Sequence, residues 1–193
     1  KEHAEKLAQG INDLNVKRRE FDNKITEEAL LMIQQDEKLL QSKSTVIFNE
    51  NWHKGVIGIV ASRLTDTYYR PTIVLTRSNN LITGSARSIK NFDIYDAIDN
   101  CSDLLEHFGG HKYAAGLSLK PENLEEFARR FEEYVAEHIE DEELIPELNV
   151  DLEINFSDIT PKFVRVLKQF APFGPGNMAP VFLSKDVIDT GFS

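Results

Sequence analysis

A chain of 193 residues has room for one compact domain with extra elements, or for one domain and part of another. At 41% hydrophobic and 28% charged it is ordinary globular material; it has no apolar run of about 18 residues to cross a membrane, and Lys1-Glu2-His3-Ala4-Glu5 lacks the apolar core of a signal peptide. The net charge of −10 argues against a nucleic-acid partner until its distribution is read: residues 121–147 hold eleven acidic residues against two arginines, a net −9, and screening beyond roughly 10 Å lets an acidic face coexist with a phosphate-binding one.

In chain order, residues 1–41 are predicted as one long helix. Leu7, Ile11, Leu14, Arg18, Phe21, Ile25, Ala29, Met32 and Ile33 recur at helical spacing. One stripe of this length cannot hold a helix alone, so it is expected to lie against another body as a linker helix. An α/β alternation follows. Thr45–Phe48 is a predicted strand, and residues 55–66 a helix that Gly55 and Gly58 let pack closely. Pro71–Leu75 is a strand, Asn79-Asn80 a turn, and Leu81–Arg87 the second arm of a hairpin. A helix is expected from Asp93, as N-cap, to Leu105. After Gly109-Gly110 comes a strand, Ala114–Leu119, then an amphipathic helix from Pro121 to about Glu140 with Leu124, Phe127, Phe131 and Val135 inward. A boundary is expected near Ile145-Pro146. Beyond it lie a strand at Val150–Ile154, a short helix opened by Thr160-Pro161, a turn-rich stretch at Pro172–Asn177, and a last strand at Val181–Leu183. The chain lacks an initial Met, opens inside a helix and stops just after a strand, so it is expected to be a piece of a longer protein. Cys101, the single cysteine, excludes an internal disulfide and fits a reducing cytoplasm.

Three segments have the residue types for phosphate chemistry. In Phe108-Gly109-Gly110-His111, two glycines let a ligand approach the backbone, and the histidine is able to donate to a phosphate oxygen. A tight turn with a packed histidine is the plain structural alternative. In Gly84-Ser85-Ala86-Arg87-Ser88, Ser85 and Arg87 fall on one face of a strand, and an arginine fork beside a hydroxyl suits a terminal phosphate. A surface ion pair would explain the arginine equally well. In Asn51-Trp52-His53-Lys54-Gly55, a glycine-started helix offers amides and a positive dipole end to an anion. Trp52 there is placed to stack on a base, although tryptophan is more often a core anchor. Asp93, Asp96, Asp99 and Asp103 read as a cap and a polar helix face. No histidine–carboxylate cluster, Asp-His-His triplet, P-loop or Ser/His/Asp signature is present, so no self-sufficient active site and no metal ligands are expected within this chain.

Together these segments resemble a known family. The run from Asn51 to Leu64, then Arg70–Leu75, Gly84–Ile89 and Phe108–Leu117, resembles the DHHA1 domain of RecJ-type exonucleases. Pro172–Asn177 resembles the motif leading into that family's OB-fold domain, and the helix carrying Leu14-Asn15 and Arg18-Arg19 resembles its interdomain helix. Lys54 and Ala86 stand where the family pattern has Pro and Gly. The resemblance implies an α/β fold: a linker helix at 1–43, a mixed-sheet DHHA1 domain flanked by helices at 44–145, and the start of an OB-like β domain at 146–193. It implies a monomeric cytoplasmic enzyme of DNA repair and recombination that degrades single-stranded DNA 5′→3′ with Mn²⁺ or Mg²⁺. The metal would be held by a separate DHH domain and none by this chain. The implied substrate-binding residues are Ser85, Arg87, Ser88, Gly109, Gly110, His111, Trp52 and His53, with His111 assisting the chemistry. Two alternatives stay open: a DHH/DHHA1 phosphodiesterase for short RNA or cyclic dinucleotides, and a non-enzymatic binding module such as the appendage of an alanyl-tRNA synthetase.

Overall fold

The computed structural model describes residues 2–188 and 191. The chain divides into two units, Lys1–Pro146 and Glu147–Ser193.

The first unit opens with α1, Glu2–Gln35, and a short α2, Glu37–Gln41. The single helix expected over 1–41 is therefore broken, and Asp36 breaks it. Asp36 adopts extended angles and its carboxylate accepts from Lys38 N at 2.9 Å and Leu39 N at 3.1 Å, so it starts a new helix instead of continuing the old one. The apolar stripe of α1 is used in part. Ile25, Ala29 and Ile33 are buried, while Leu7, Ile11, Leu14 and Phe21 are each more than half exposed. Anchorage comes from the same C-terminal stretch. Arg63 holds buried Asp22 at 2.8 Å, and the indole of Trp52 donates to Glu28 at 2.9 Å.

Five strands form one mixed sheet in the order β1 (Thr45–Phe48), β2 (Thr72–Ser78), β3 (Leu81–Arg87), β5 (Ala114–Leu119), β4 (Leu105–His111). β1 and β2 are parallel and joined by α3, Ile57–Tyr68; the other pairs are antiparallel. β2 is covered on both faces, so Thr72 through Thr76 are all buried, whereas β3 alternates. One face packs α1 and α3 through Ile33, Val60, Leu64 and Val74. The other packs α4, Ile94–Asp99, and α5, Leu124–His138, through Ile73, Ile82, Ile98, Phe127, Phe131 and Val135. α5, with five of the eleven acidic residues of the 121–147 segment, lies on the side of the sheet away from α3.

β4 corrects the expectation of a helix through Leu105 with no strand before Ala114. Asp93 does cap α4, accepting from Tyr95 N at 3.0 Å, but the helix ends after six residues. A 3₁₀ turn at Ser102–Leu104 then delivers the chain into β4. Leu105-Glu106-His107-Phe108-Gly109-Gly110-His111 has little intrinsic strand preference. Pairing with β5 and the contact of Phe108 with Tyr95, 5.6 Å between rings, override it.

In the second unit, β6 (Leu152–Glu153) pairs in parallel with β7 (Phe182–Leu183). α6, Pro161–Leu167, is capped by Thr160, which accepts from Phe163 N at 3.2 Å. Gly174 and Asn177 close a turn with reciprocal backbone bonds of 2.9 and 2.8 Å.

Candidate nucleic-acid interface

One of the three phosphate-type segments, Gly84–Ser88, meets the first turn of α3. Arg87 ends β3, and its guanidinium is tied down on two of its three nitrogens. Nε donates to Ser62 Oγ at 3.2 Å; Nη1 donates to Ser85 Oγ at 3.0 Å and to the Ala86 carbonyl at 2.8 Å. The expected two-nitrogen fork is thus corrected: only Nη2 is left to present. Nη2 sits against Gly58, where an added Cβ would lie 3.1 Å from it and 3.0 Å from Ser85 Oγ. Gly58 is what lets α3 approach β3 this closely. The helix starts at Ile57, not at Gly55, whose amide donates to His53 Nδ1 at 3.1 Å. Val56 gives no side-chain cap, and the first turn, with its positive dipole end, lies against Arg87 at Gly58.

The sheet register brings the segment ending in His111 to the same face. Arg87 pairs with Ala114, which pairs with His111; Ser85 pairs with Gly116, which pairs with Gly109. Residues opposite one another across antiparallel strands share a face. His111 therefore projects from the same face as Arg87, two strands away, or about 10 Å. Directly between them stands Ala114, a single methyl, and the neighbouring row, Gly116 and Gly109 opposite Ser85, carries no side chains. A Cβ on Gly109 would meet nothing within 4 Å, and one on Gly116 would meet only the Gly84 carbonyl, at 3.9 Å. Gly110 differs: its added Cβ would fall 2.3 Å from the Ala114 carbonyl oxygen and 2.5 Å from Ala115 Cα. Gly110 is required by the hairpin, whereas Gly109 is not. His111 is exposed, and its Nδ1 accepts from Tyr113 N at 3.3 Å. In the neutral ring the proton is then on Nε2.

Other expected site residues do not join this group. Trp52 is corrected outright: it is 4% exposed and hydrogen-bonded to Glu28, so its ring is a core anchor with no face for a base. His53 is exposed but stacks on Phe21 of α1, 5.8 Å between rings. The Ser88 hydroxyl donates to the Phe92 carbonyl at 2.8 Å and shapes the turn after β3. Ala86 is fully buried on the opposite face, so its methyl does not narrow approach to Arg87. Among the described residues no group of three His, Cys, Asp or Glu side chains could hold a metal ion, so the donor set for Mn²⁺ or Mg²⁺ does not fit here. Asp103, in the aspartate series, is held below the usual carboxylate range by the Arg130 guanidinium at 2.8 Å. Ser62 and Gly116 were not singled out from sequence. Ser62 lies inside a helical run and Gly116 inside a strand, and only the packing of α3 on β3 and the strand register give them neighbours.

The DHHA1 domain family matches residues 36–137, and the RecJ OB domain matches residues 150–192. The single-stranded-DNA-specific exonuclease RecJ of Bacillus subtilis is 37% identical over 187 residues, 96% of this chain and 24% of that protein. RecJ of Salmonella typhimurium is 32% identical over 186 residues, 91% of this chain and 32% of that protein. The chain thus spans about a quarter to a third of the length of these curated relatives. Among solved structures, RecJ from Thermus thermophilus in complex with Mg²⁺ superposes with a TM-score of 0.78 at 28% identity, covering 90% of this chain and 26% of that one. Its Mn²⁺ complex gives the same score over 91% and 25%.

Proposed function

This chain belongs to the DHHA1 domain family, and we propose that it is the strand-holding part of a RecJ-type exonuclease that degrades single-stranded DNA from its 5′ end. The observation that carries the reading is the register that sets Arg87 and His111 on one face of the sheet across Ala114, with Gly116 and Gly109 as an open row beside them. In this reading Arg87 Nη2 and the uncapped first turn of α3 take the 5′-terminal phosphate, with Ser85 beside them. The DNA backbone crosses the glycine row, where no Cβ holds it away. His111 donates from Nε2 to a phosphate nearer the scissile bond. When bound, Mn²⁺ or Mg²⁺ would supply water activation and charge neutralisation from a DHH domain outside this chain. The match to the RecJ OB domain at residues 150–192 favours this reading over a phosphodiesterase for short RNA or cyclic dinucleotides. The whole enzyme would work as a cytoplasmic monomer in repair and recombination.

The test is a two-by-two comparison in the full-length enzyme under single-turnover conditions. Arg87→Ala is expected to slow a 5′-phosphorylated strand roughly tenfold, the lower end for a charge-assisted contact, because one nitrogen is presented. A 5′-hydroxyl strand should be little affected. His111→Ala is expected to lower turnover on both ends alike. Equal losses on both ends for Arg87→Ala would remove its end-reading role, and an unchanged rate for His111→Ala would leave that histidine a hairpin residue only.

A further inference from the structure

We infer that Ser62 is a positioning residue that aims Arg87, an inference that rests on the phosphate-binding reading of Arg87. A guanidinium is planar, so fixing two of its nitrogens fixes the direction of the third. Of the three acceptors on Arg87, Ser85 Oγ and the Ala86 carbonyl belong to β3 itself and move with it. Ser62 Oγ belongs to α3 and takes Nε–H at 3.2 Å. Its own proton is spent on the Gly58 carbonyl one turn earlier, at 3.1 Å, so the hydroxyl oxygen is turned to accept. Ser62 is therefore the contact that registers the arginine against the helix, and the helix is the element whose first turn, at Gly58, lies against Arg87 Nη2. Without it, the guanidinium is held only from its own strand. Nε is then released beside Nη2, exposing a two-nitrogen edge able to grip any phosphate along a strand. The expected consequence is loss of discrimination between a terminal phosphate and the rest of the backbone, with overall binding retained.

The experiment measures binding of this chain to oligothymidylate labelled at its 3′ end and carrying either a 5′-phosphate or a 5′-hydroxyl, by fluorescence anisotropy. The variants are Ser62→Ala, Ser62→Thr, Arg87→Ala and the double Ser62→Ala/Arg87→Ala. Ser62→Ala is expected to cut the preference for the phosphorylated end by roughly fivefold, the worth of one hydrogen bond, without weakening the 5′-hydroxyl strand. Ser62→Thr keeps the oxygen and should restore the preference. In the Arg87→Ala background the serine change should do nothing further. A second readout is the Arg87 Nε–H resonance, which should shift in Ser62→Ala and return in Ser62→Thr; a purely structural serine would leave it in place. If Arg87→Ala removes the preference and Ser62→Ala leaves both the preference and the resonance unchanged, the inference about Ser62 fails alone. If the parent chain shows no preference, or Arg87→Ala keeps it, the phosphate-binding reading fails and the inference falls with it.

Discussion

The two adjacent glycines of β4 make opposite predictions, and the geometry says which is which. A methyl at Gly110 would lie 2.3 Å from the Ala114 carbonyl oxygen and 2.5 Å from Ala115 Cα, both backbone atoms of the paired strand. No rotamer relieves that contact, so the β4–β5 hairpin must part. Overpacking of this kind costs about 1–3 kcal/mol. For a domain of this size each kcal/mol moves the midpoint by roughly 2–4 °C, so Gly110→Ala should melt about 4–8 °C lower for a 2 kcal/mol loss. A methyl at Gly109 meets nothing within 4 Å. Gly109→Ala should therefore hold its melting temperature, or gain up to about 1 kcal/mol from the stiffer unfolded chain. Its cost should appear in binding if, as proposed, the DNA backbone crosses this row, because the methyl rises from it. Thermal melts followed by circular dichroism, with anisotropy titrations of oligothymidylate at a temperature where both variants are folded, separate the two effects. Parent-like binding by Gly109→Ala would show that the strand does not run over this row. A parent-like melt for Gly110→Ala would refute the steric argument itself.

The purified chain should release no mononucleotides from labelled single-stranded DNA with or without Mn²⁺, because its described residues offer no metal-ligand set; metal-dependent release lost on mutating a residue of this chain would expose an overlooked centre. Trp52→Phe should remove the 2.9 Å bond to Glu28 and lower stability by about 1 kcal/mol with DNA binding unchanged, measured by urea titration and anisotropy. Weaker binding in the folded variant would restore a role for Trp52 at the interface. Burial pushes the Cys101 thiol up to about 11 from an ordinary 9.0. Its raised value means that the stability it contributes is fully present below about pH 9 and is lost as pH rises through 11. Ellman's reagent at pH 8 should accordingly react only after the chain is unfolded in urea, and rapid reaction with the native chain would contradict the burial.

What was legible in the sequence was whatever depended on local periodicity. Thr45–Phe48, Leu81–Arg87 and the inward face Phe127, Phe131, Val135 were readable because strand alternation and helical spacing survive in the side chains themselves. β4 was not, since a run with two glycines and two histidines is a strand only because β5 pairs with it. The break at Asp36 hid inside an unbroken apolar stripe. The site was half legible. Ser85, Arg87, Gly109 and His111 stand out as residue types, but their shared face is a property of register across three strands. Ser62 was silent because a helix places it over Arg87 from 25 residues away. Trp52 misled because tryptophan serves cores and nucleobases with the same ring.

The anchorage of α1 also sets a mechanical condition. Asp22, 2% exposed, is gripped by Arg63 from α3, and Ile25, Ala29 and Ile33 are buried beyond it. The preceding turns, from Glu2 to about Glu20, project as a rod of roughly 28 Å at 1.5 Å per residue. A rod clamped at one end converts angle into displacement. A tilt of only about 5° at the Asp22–Arg63 clamp would carry the far turn through roughly 2.4 Å over that length. A body seated on the exposed Leu7, Ile11 and Leu14 would inherit its alignment with the Arg87–His111 face from the clamped end of the helix, where Asp22 and Arg63, Glu28 and Trp52, and the buried Ile25, Ala29 and Ile33 hold it, so the tolerance of that clamp would become the tolerance of the whole assembly.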